Sequence, residues 1–198
     1  MKKKILIALA ALVALSIAVG GTLAYFTSKK VVHNVITTSG VDIDIVEWHD
    51  PDGDGVLETY PDKPLSAMPG TEISKIVTIE NKQAEAYIRA RFEIVVTGAD
   101  GKVMDLTQQE LAEVIRVTVP TGSGWQQKAG DNTWWYYVNS VDTGDATEAL
   151  FTEVVFDGPN MGNEYQNATI EVIVYAQATQ AAHNGETALE AAASSWPA

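Results

Sequence analysis

The sequence predicts an all-β fold: an antiparallel β-sandwich, jelly-roll-like, with one short internal helix and an N-terminal signal helix. Three observations predict it. Past Phe26 the apolar residues recur with period two in one segment after another, as half-buried strands require. Turns containing Gly, Asn or Asp divide those segments, and a single internal segment switches to a helical pattern. No alternation of strand and helix appears, which argues against a parallel sheet. The chain has 198 residues, enough for one domain with its own core after a leader is set aside.

The first element is the leader. Lys2, Lys3 and Lys4 precede an uncharged, nearly all-apolar run from Ile5 to Ala24, and no acidic residue occurs before Asp42. The run breaks at Gly20-Gly21 and ends on a small residue, the pattern of a secretory signal peptide with a peptidase-accessible site. Its length also matches a membrane span, so a retained anchor is the alternative. Residues 1–25 are therefore read as signal peptide, 26–183 as the sandwich, and 184–198 as a C-terminal helix or flexible tail. Membrane contact is expected only through the uncleaved signal.

The mature chain opens with "VVHNVITTSGVDIDIVEW", read as a strand, a Ser39-Gly40 turn and a second strand with Val41, Ile43 and Ile45 on one face. In "EISKIVTIENKQ", Ile73, Val77 and Ile79 alternate before a turn at Asn81-Lys82. "EAYIRARFEIVVTGADG" is the clearest strand: Ala86, Ile88, Ala90, Phe92, Ile94 and Val96 share one face, and Tyr87, Arg89, Arg91 and Glu93 the other, at least partly wet one. "DLTQQELAEVI" is the helix, with Thr107 and Glu110 at capping-box spacing and Asp105 with Gln108 as the alternative cap. "VIRVTVP" resumes strand character. "TWWYYV" follows a Gly-rich stretch. Then come "EALFTEVVFDG", with Leu150, Val154 and Phe156 inward, and "ATIEVIVYAQATQ", with Ile170, Val172, Val174 and Ala176 inward. These pieces give about eight strands.

Composition narrows the function classes. The chain has no cysteine, so disulfides and thiolate zinc sites are excluded. The net charge is −13, and removal of the three leader lysines leaves ten basic against 26 acidic residues, or −16. Such a surface argues against nucleic acid as partner. His33, His49 and His183 stand in no metal-protease spacing, and no serine has a nucleophile-elbow setting, so no enzyme is expected.

Two local signals point to binding. In "DPDGDGVLETYPD", Asp50, Asp52 and Asp54 alternate before Gly55 and Leu57, as in a calcium loop that wraps a hard cation with oxygen ligands. Pro61 stands where the loop's final bidentate Glu belongs, so Glu58 would have to substitute in a loop of another shape. The alternative is an acidic turn whose glycines permit positive φ. Ca2+ is the one cofactor this pattern suggests. The second signal is the aromatic run that includes Trp134 and Trp135, a possible sugar-stacking platform. Neighbours in a strand point oppositely, however, so only one of the two can belong to such a surface.

The N-terminus resembles bacterial exported proteins processed by the dedicated SipW-type signal peptidase, the TasA/camelysin-like (alternate signal-mediated) family. The matching residues are Gly20-Gly21-Thr22, the Ala24-Tyr25-Phe26 junction, Asn34 and a "TTSGVDIDI" hairpin at 37–45. Looser matches are residues 77–93, 134–151 and 171–180. The resemblance implies a jelly-roll-like sandwich, secretion, a place in cell-surface or biofilm-matrix fibres, and cleavage before Phe26; small-residue logic alone puts it after Ala24. It also implies that the freed strand, Phe26 to about Ile36, is donated to a neighbouring subunit. Partners would then be further copies or other matrix and surface proteins. The Val31/His33/Val35 and Val32/Asn34/Ile36 faces are neither cleanly apolar nor cleanly polar, unlike a tidy donor. A secreted carbohydrate- or surface-binding module is the alternative function. The protease activity associated with the camelysin label is not carried over, because no metal-ligand set supports it.

Overall fold

The computed structural model describes residues 26–29, 34–37, 40–61, 65–191 and 193–197. The expected signal segment, with Ala24 and Tyr25, lies outside the described residues, as do Val31, Val32, His33 and Ser39. Twelve strands and one α-helix are described: β1 Phe26–Lys29, β2 Asn34–Thr37, β3 Ile43–His49, β4 Glu58–Thr59, β5 Leu65–Ala67, β6 Glu72–Asn81, β7 Ala86–Thr97, α1 Gln108–Val114, β8 Ile115–Val117, β9 Trp125–Gln127, β10 Trp135–Val141, β11 Phe151–Phe156 and β12 Thr169–Gln180.

The strands form two sheets. The first runs β5-β1-β12-β7-β10-β9, with β2 also paired to β12; the second runs β4-β3-β6-β11-β8. Pairing is antiparallel except where β1 and β2 lie parallel to β12. The inward residues of both sheets meet in one cluster that includes Ile43, Ile45, Val77 and Ile79 from the second sheet and Ile88, Ile170, Val172 and Val174 from the first. This is an all-β sandwich around a shared apolar layer.

Alternation places the long strands. Ala86, Ile88 and Ala90 of β7 are fully buried, and so are Ile170, Val172, Val174 and Ala176 of β12. These two strands pair over their whole length, from Thr169 opposite Thr97 to Gln180 opposite Ala86. Leu150, just before β11, and Val154 and Phe156 within it are buried as the pattern predicts, but Phe151 is buried too. A register shift between Phe151 and Glu153 changes the parity of the strand, so that Phe151 and Val154 both face inward. The helix starts as the capping box predicts: Thr107 Oγ1 accepts from Glu110 N at 3.2 Å, and Glu110 Oε2 accepts from Thr107 N at 2.8 Å.

One local expectation is corrected. The strands on either side of Gly40 do not form a hairpin. β2 joins β12 in the first sheet, and β3 pairs with β6 in the second. Gly40, at φ 86°, stands where the chain crosses between the sheets, and its backbone needs the left-handed region that glycine supplies. Asn81 ties the two sheets at that end. Fully buried, it donates from Nδ2 to Ala84 O at 2.9 Å and to Val141 O at 2.8 Å, and its Oδ1 accepts from Gln83 N.

The segment after β12 forms no α-helix among its described residues. It lies on the outer face of the first sheet and ends in a short 3-10 turn, Ala193–Ser195. Ala188, Ala191 and Trp196 are buried there against Tyr87 and Tyr136, a second small cluster separate from the main core. Among the described residues, no helix is long and apolar enough to cross a membrane.

Candidate functional site

The N-terminal segment occupies one edge of β12. β1 matches Thr27 with Thr169 and Lys29 with Glu171; β2 matches Asn34 with Tyr175 and Thr37 with Ala178. Between Lys29 and Asn34 the chain has four residues, where β12 has three between Glu171 and Tyr175. The register against β12 therefore differs by one residue between β1 and β2. Val35 packs against the main core. On its other side β1 pairs antiparallel with β5, Ser28 opposite Leu65 and Phe26 opposite Ala67. Phe26, the residue expected to follow cleavage, thus begins a strand inserted between two others.

The acidic loop brings Asp50, Asp52 and Asp54 together, with carboxylate oxygens within 4.8 Å of one another. Asp50 uses both of its oxygens inside the loop: Oδ1 accepts from Gly53 N at 2.8 Å and Oδ2 from Gly55 N at 3.0 Å. Asp54 accepts from Val56 N. Gly53 and Gly55 have φ of 72° and 84°. Carboxylates that accept backbone amides and glycines that permit the turn account for the repeated Asp–Gly pattern as local structure. Glu58 is not aimed into this cluster. It lies on β4 opposite His49, with 3.5 Å between Oε2 and His49 Nε2.

Trp134 and Trp135 part company. Trp135 packs against the main core, whereas Trp134 belongs to the outer cluster beneath the C-terminal segment. Arg89 and Arg91 lie over the Trp134 ring, at 4.5 and 5.5 Å from its centroid. The contacts continue as a ladder, Arg91 over Tyr175 at 3.9 Å and Arg89 over Trp196 at 4.8 Å. Arg89 also donates from Nε and Nη2 to Gln177 Oε1, and from Nη1 to Tyr136 Oη. Tyr136 Oη in turn donates to Asp131 Oδ2 at 2.8 Å. Burial alone would raise the Asp131 pKa. Hydrogen bonds from Thr133 N, Tyr136 Oη and Trp134 N, with the charge of Arg89, outweigh burial and hold it below the usual carboxylate value. Arg91 pairs with Glu93 on its own strand. The arrangement is an aromatic–guanidinium stack in which Trp134 and Trp135 are each half-buried.

One internal pair belongs to none of the motifs above. Lys75 of β6 and Glu47 of β3 are both buried, with 2.8 Å between Nζ and Oε1. Lys75 Nζ also lies 3.7 Å from the centre of the Tyr60 ring. The signal was present in the sequence. Glu47 continues the parity of Ile43 and Ile45, and Lys75 that of Val77 and Ile79, so each charge stands at an inward position.

Compared with known proteins, the chain matches no family model, no curated protein and no solved structure.

Proposed function

We propose that the chain is a secreted structural protein of the cell surface or biofilm matrix. In this reading a dedicated signal peptidase releases it before Phe26, and it assembles by passing its N-terminal strand to a neighbouring copy. The fold would be of jelly-roll type. One observation carries the reading. The first residues after the expected junction form an inserted strand that holds its place through pairing with β12 and β5. Ladder bonds between backbones are largely independent of side-chain identity, so the same strand can satisfy the same edge of another copy. Parallel pairing is slightly less stable per residue than antiparallel pairing, which favours exchange at this edge. The −16 charge of the mature chain keeps free subunits soluble and makes assembly dependent on salt.

The test compares protein starting at Phe26 with protein starting at Gly40, by electron microscopy and sedimentation across concentration and salt. Fibres are expected from the first and none from the second. A synthetic peptide of residues 26–37 should bind the shortened protein and inhibit growth of the full one. A Phe26 protein that stays monomeric at every concentration overturns the proposal.

A further inference from the structure

The second sheet turns one amine and one carboxyl into the interior. Ile43, Ile45 and Glu47 are buried along one face of β3, and Lys75, Val77 and Ile79 along one face of β6. Glu47 stands opposite Val77 in the ladder, so Lys75, two residues along the same face, is its diagonal neighbour. Long side chains span that diagonal. Nζ of Lys75 and Oε1 of Glu47 lie 2.8 Å apart, and the two side chains retain 1% and 6% of their exposure.

Both ions have given up their water, and that loss often exceeds what their attraction returns. Burial drives the Lys75 pKa below its ordinary value, and the charge and hydrogen bond of Glu47 only partly oppose that. The Tyr60 ring, its centre 3.7 Å from Nζ, attracts an ammonium and so works on the side of Glu47. Passing one Nζ proton to Oε1 cancels both charges. It leaves a neutral amine against a neutral carboxylic acid, a desolvated nucleophile held beside an acyl carbon by the pairing of two strands.

We infer that Lys75 and Glu47 condense into a side-chain amide that joins β6 to β3, a modification site carried entirely by this chain. The Nζ lone pair forms a bond to Cδ of Glu47. The bond from Cδ to the protonated oxygen breaks, and that oxygen leaves as water with a second proton from the nitrogen. Ammonium and carboxylate thus become one amide and one water, with no oxidant, reductant or co-reactant. The product carries no charge in the interior, and a site this closed gives little water back for hydrolysis. The link needs no strand exchange and holds whether or not the chain forms fibres.

The experiment uses folded protein starting at Phe26, read by intact mass and, after denaturation, by tryptic peptides. The expected mass is that of the sequence less one water. Asp–Gly pairs such as Asp52-Gly53 and Asp54-Gly55 can also lose water by closing on their own backbone, so the position of the loss decides. Trypsin cuts after a free lysine but not after one whose Nζ is an amide. The linked protein should therefore yield a peptide of residues 31–82, uncut after Lys75 and lighter by one water, with Lys63 shielded by Pro64 in either case. Lys75→Met should restore the full sequence mass. Full mass in the unsubstituted protein overturns the inference. So does a water loss accompanied by cleavage after Lys75, or one that survives in Lys75→Met. The unsubstituted protein carries the decisive reading, so a variant that fails to fold leaves the test standing.

Discussion

The two ends of the described chain are attached to the same sheet in opposite ways. The N-terminal segment lies in the plane of the sheet, matched to β12 and β5 strand by strand. The C-terminal segment lies across the outer face and is held mainly by side chains. Trp196 meets Tyr136 edge-on at 5.6 Å, Arg89 lies against the Trp196 ring, and Tyr87 Oη donates to Gly185 O at 2.9 Å. Backbone pairing asks little of sequence, so an edge held that way can be filled by any strand of suitable register. Interlocked rings and a guanidinium stack demand particular residues at particular distances. The contrast separates an end held by backbone pairing from one held by particular side chains.

The largest expected effect breaks the permanent end. Trp196→Ala removes the ring that closes the outer cluster and should lower stability by about 3–5 kcal/mol. Thermal unfolding measures the loss, and hydrogen exchange of β1 should be unchanged in whatever fraction stays folded. A smaller effect breaks the other end. Thr27 lies between β5 and β12, so Thr27→Pro removes a ladder donor and should cost about 1–2 kcal/mol. Hydrogen exchange should place that loss in β1 and β5, with the Trp196 cluster still protected.

The smallest effect sharpens the contrast through pH. Burial raises the phenol pKa of Tyr87, helped by the charges of Glu85, Glu190 and Glu186. Burial also raises that of Tyr136, where Arg89 works against the shift and Asp131 with it. A phenol whose folded pKa lies above its unfolded value of 10.0 contributes stability that is complete below that pH. The contribution is lost as pH rises through the folded value. Melting temperature should therefore fall above pH 10, and the fall should shrink in Tyr136→Phe. Exchange at β1 should follow the same pH course in both proteins.

Much of the sandwich was legible in the sequence because its strands are half-buried and period two is a local property. Ala86 to Val96 and Ile170 to Ala176 show their inward faces without reference to anything else, and Thr107 with Glu110 announces its helix within four residues. The candidate sites were less legible. Asp50, Asp52 and Asp54 are neighbours in sequence and were found together, while Glu58 was grouped with them by proximity and is drawn instead to His49 across a strand pair. The Arg89 stack joins residues from β7, β10, β12 and the C-terminal segment, and no local pattern links those four. Lys75 and Glu47 each broke an apolar alternation, but only the pairing of β3 with β6 shows that the two breaks answer each other.

What the sequence determined by itself was therefore the kind of element at each place, its wet and dry faces, the cap of its helix and the acidic character of its surface. These follow from steric and hydrophobic preferences that act over a few residues. The tertiary structure alone decided that Gly40 marks a passage between sheets rather than a hairpin. It decided too that the N-terminal strand lies parallel to β12, that the C-terminal segment covers the arginine stack, and that two interior charges meet. Each of these depends on which distant strand comes alongside. That choice is made by the burial of the whole apolar layer at once, which no single segment contains.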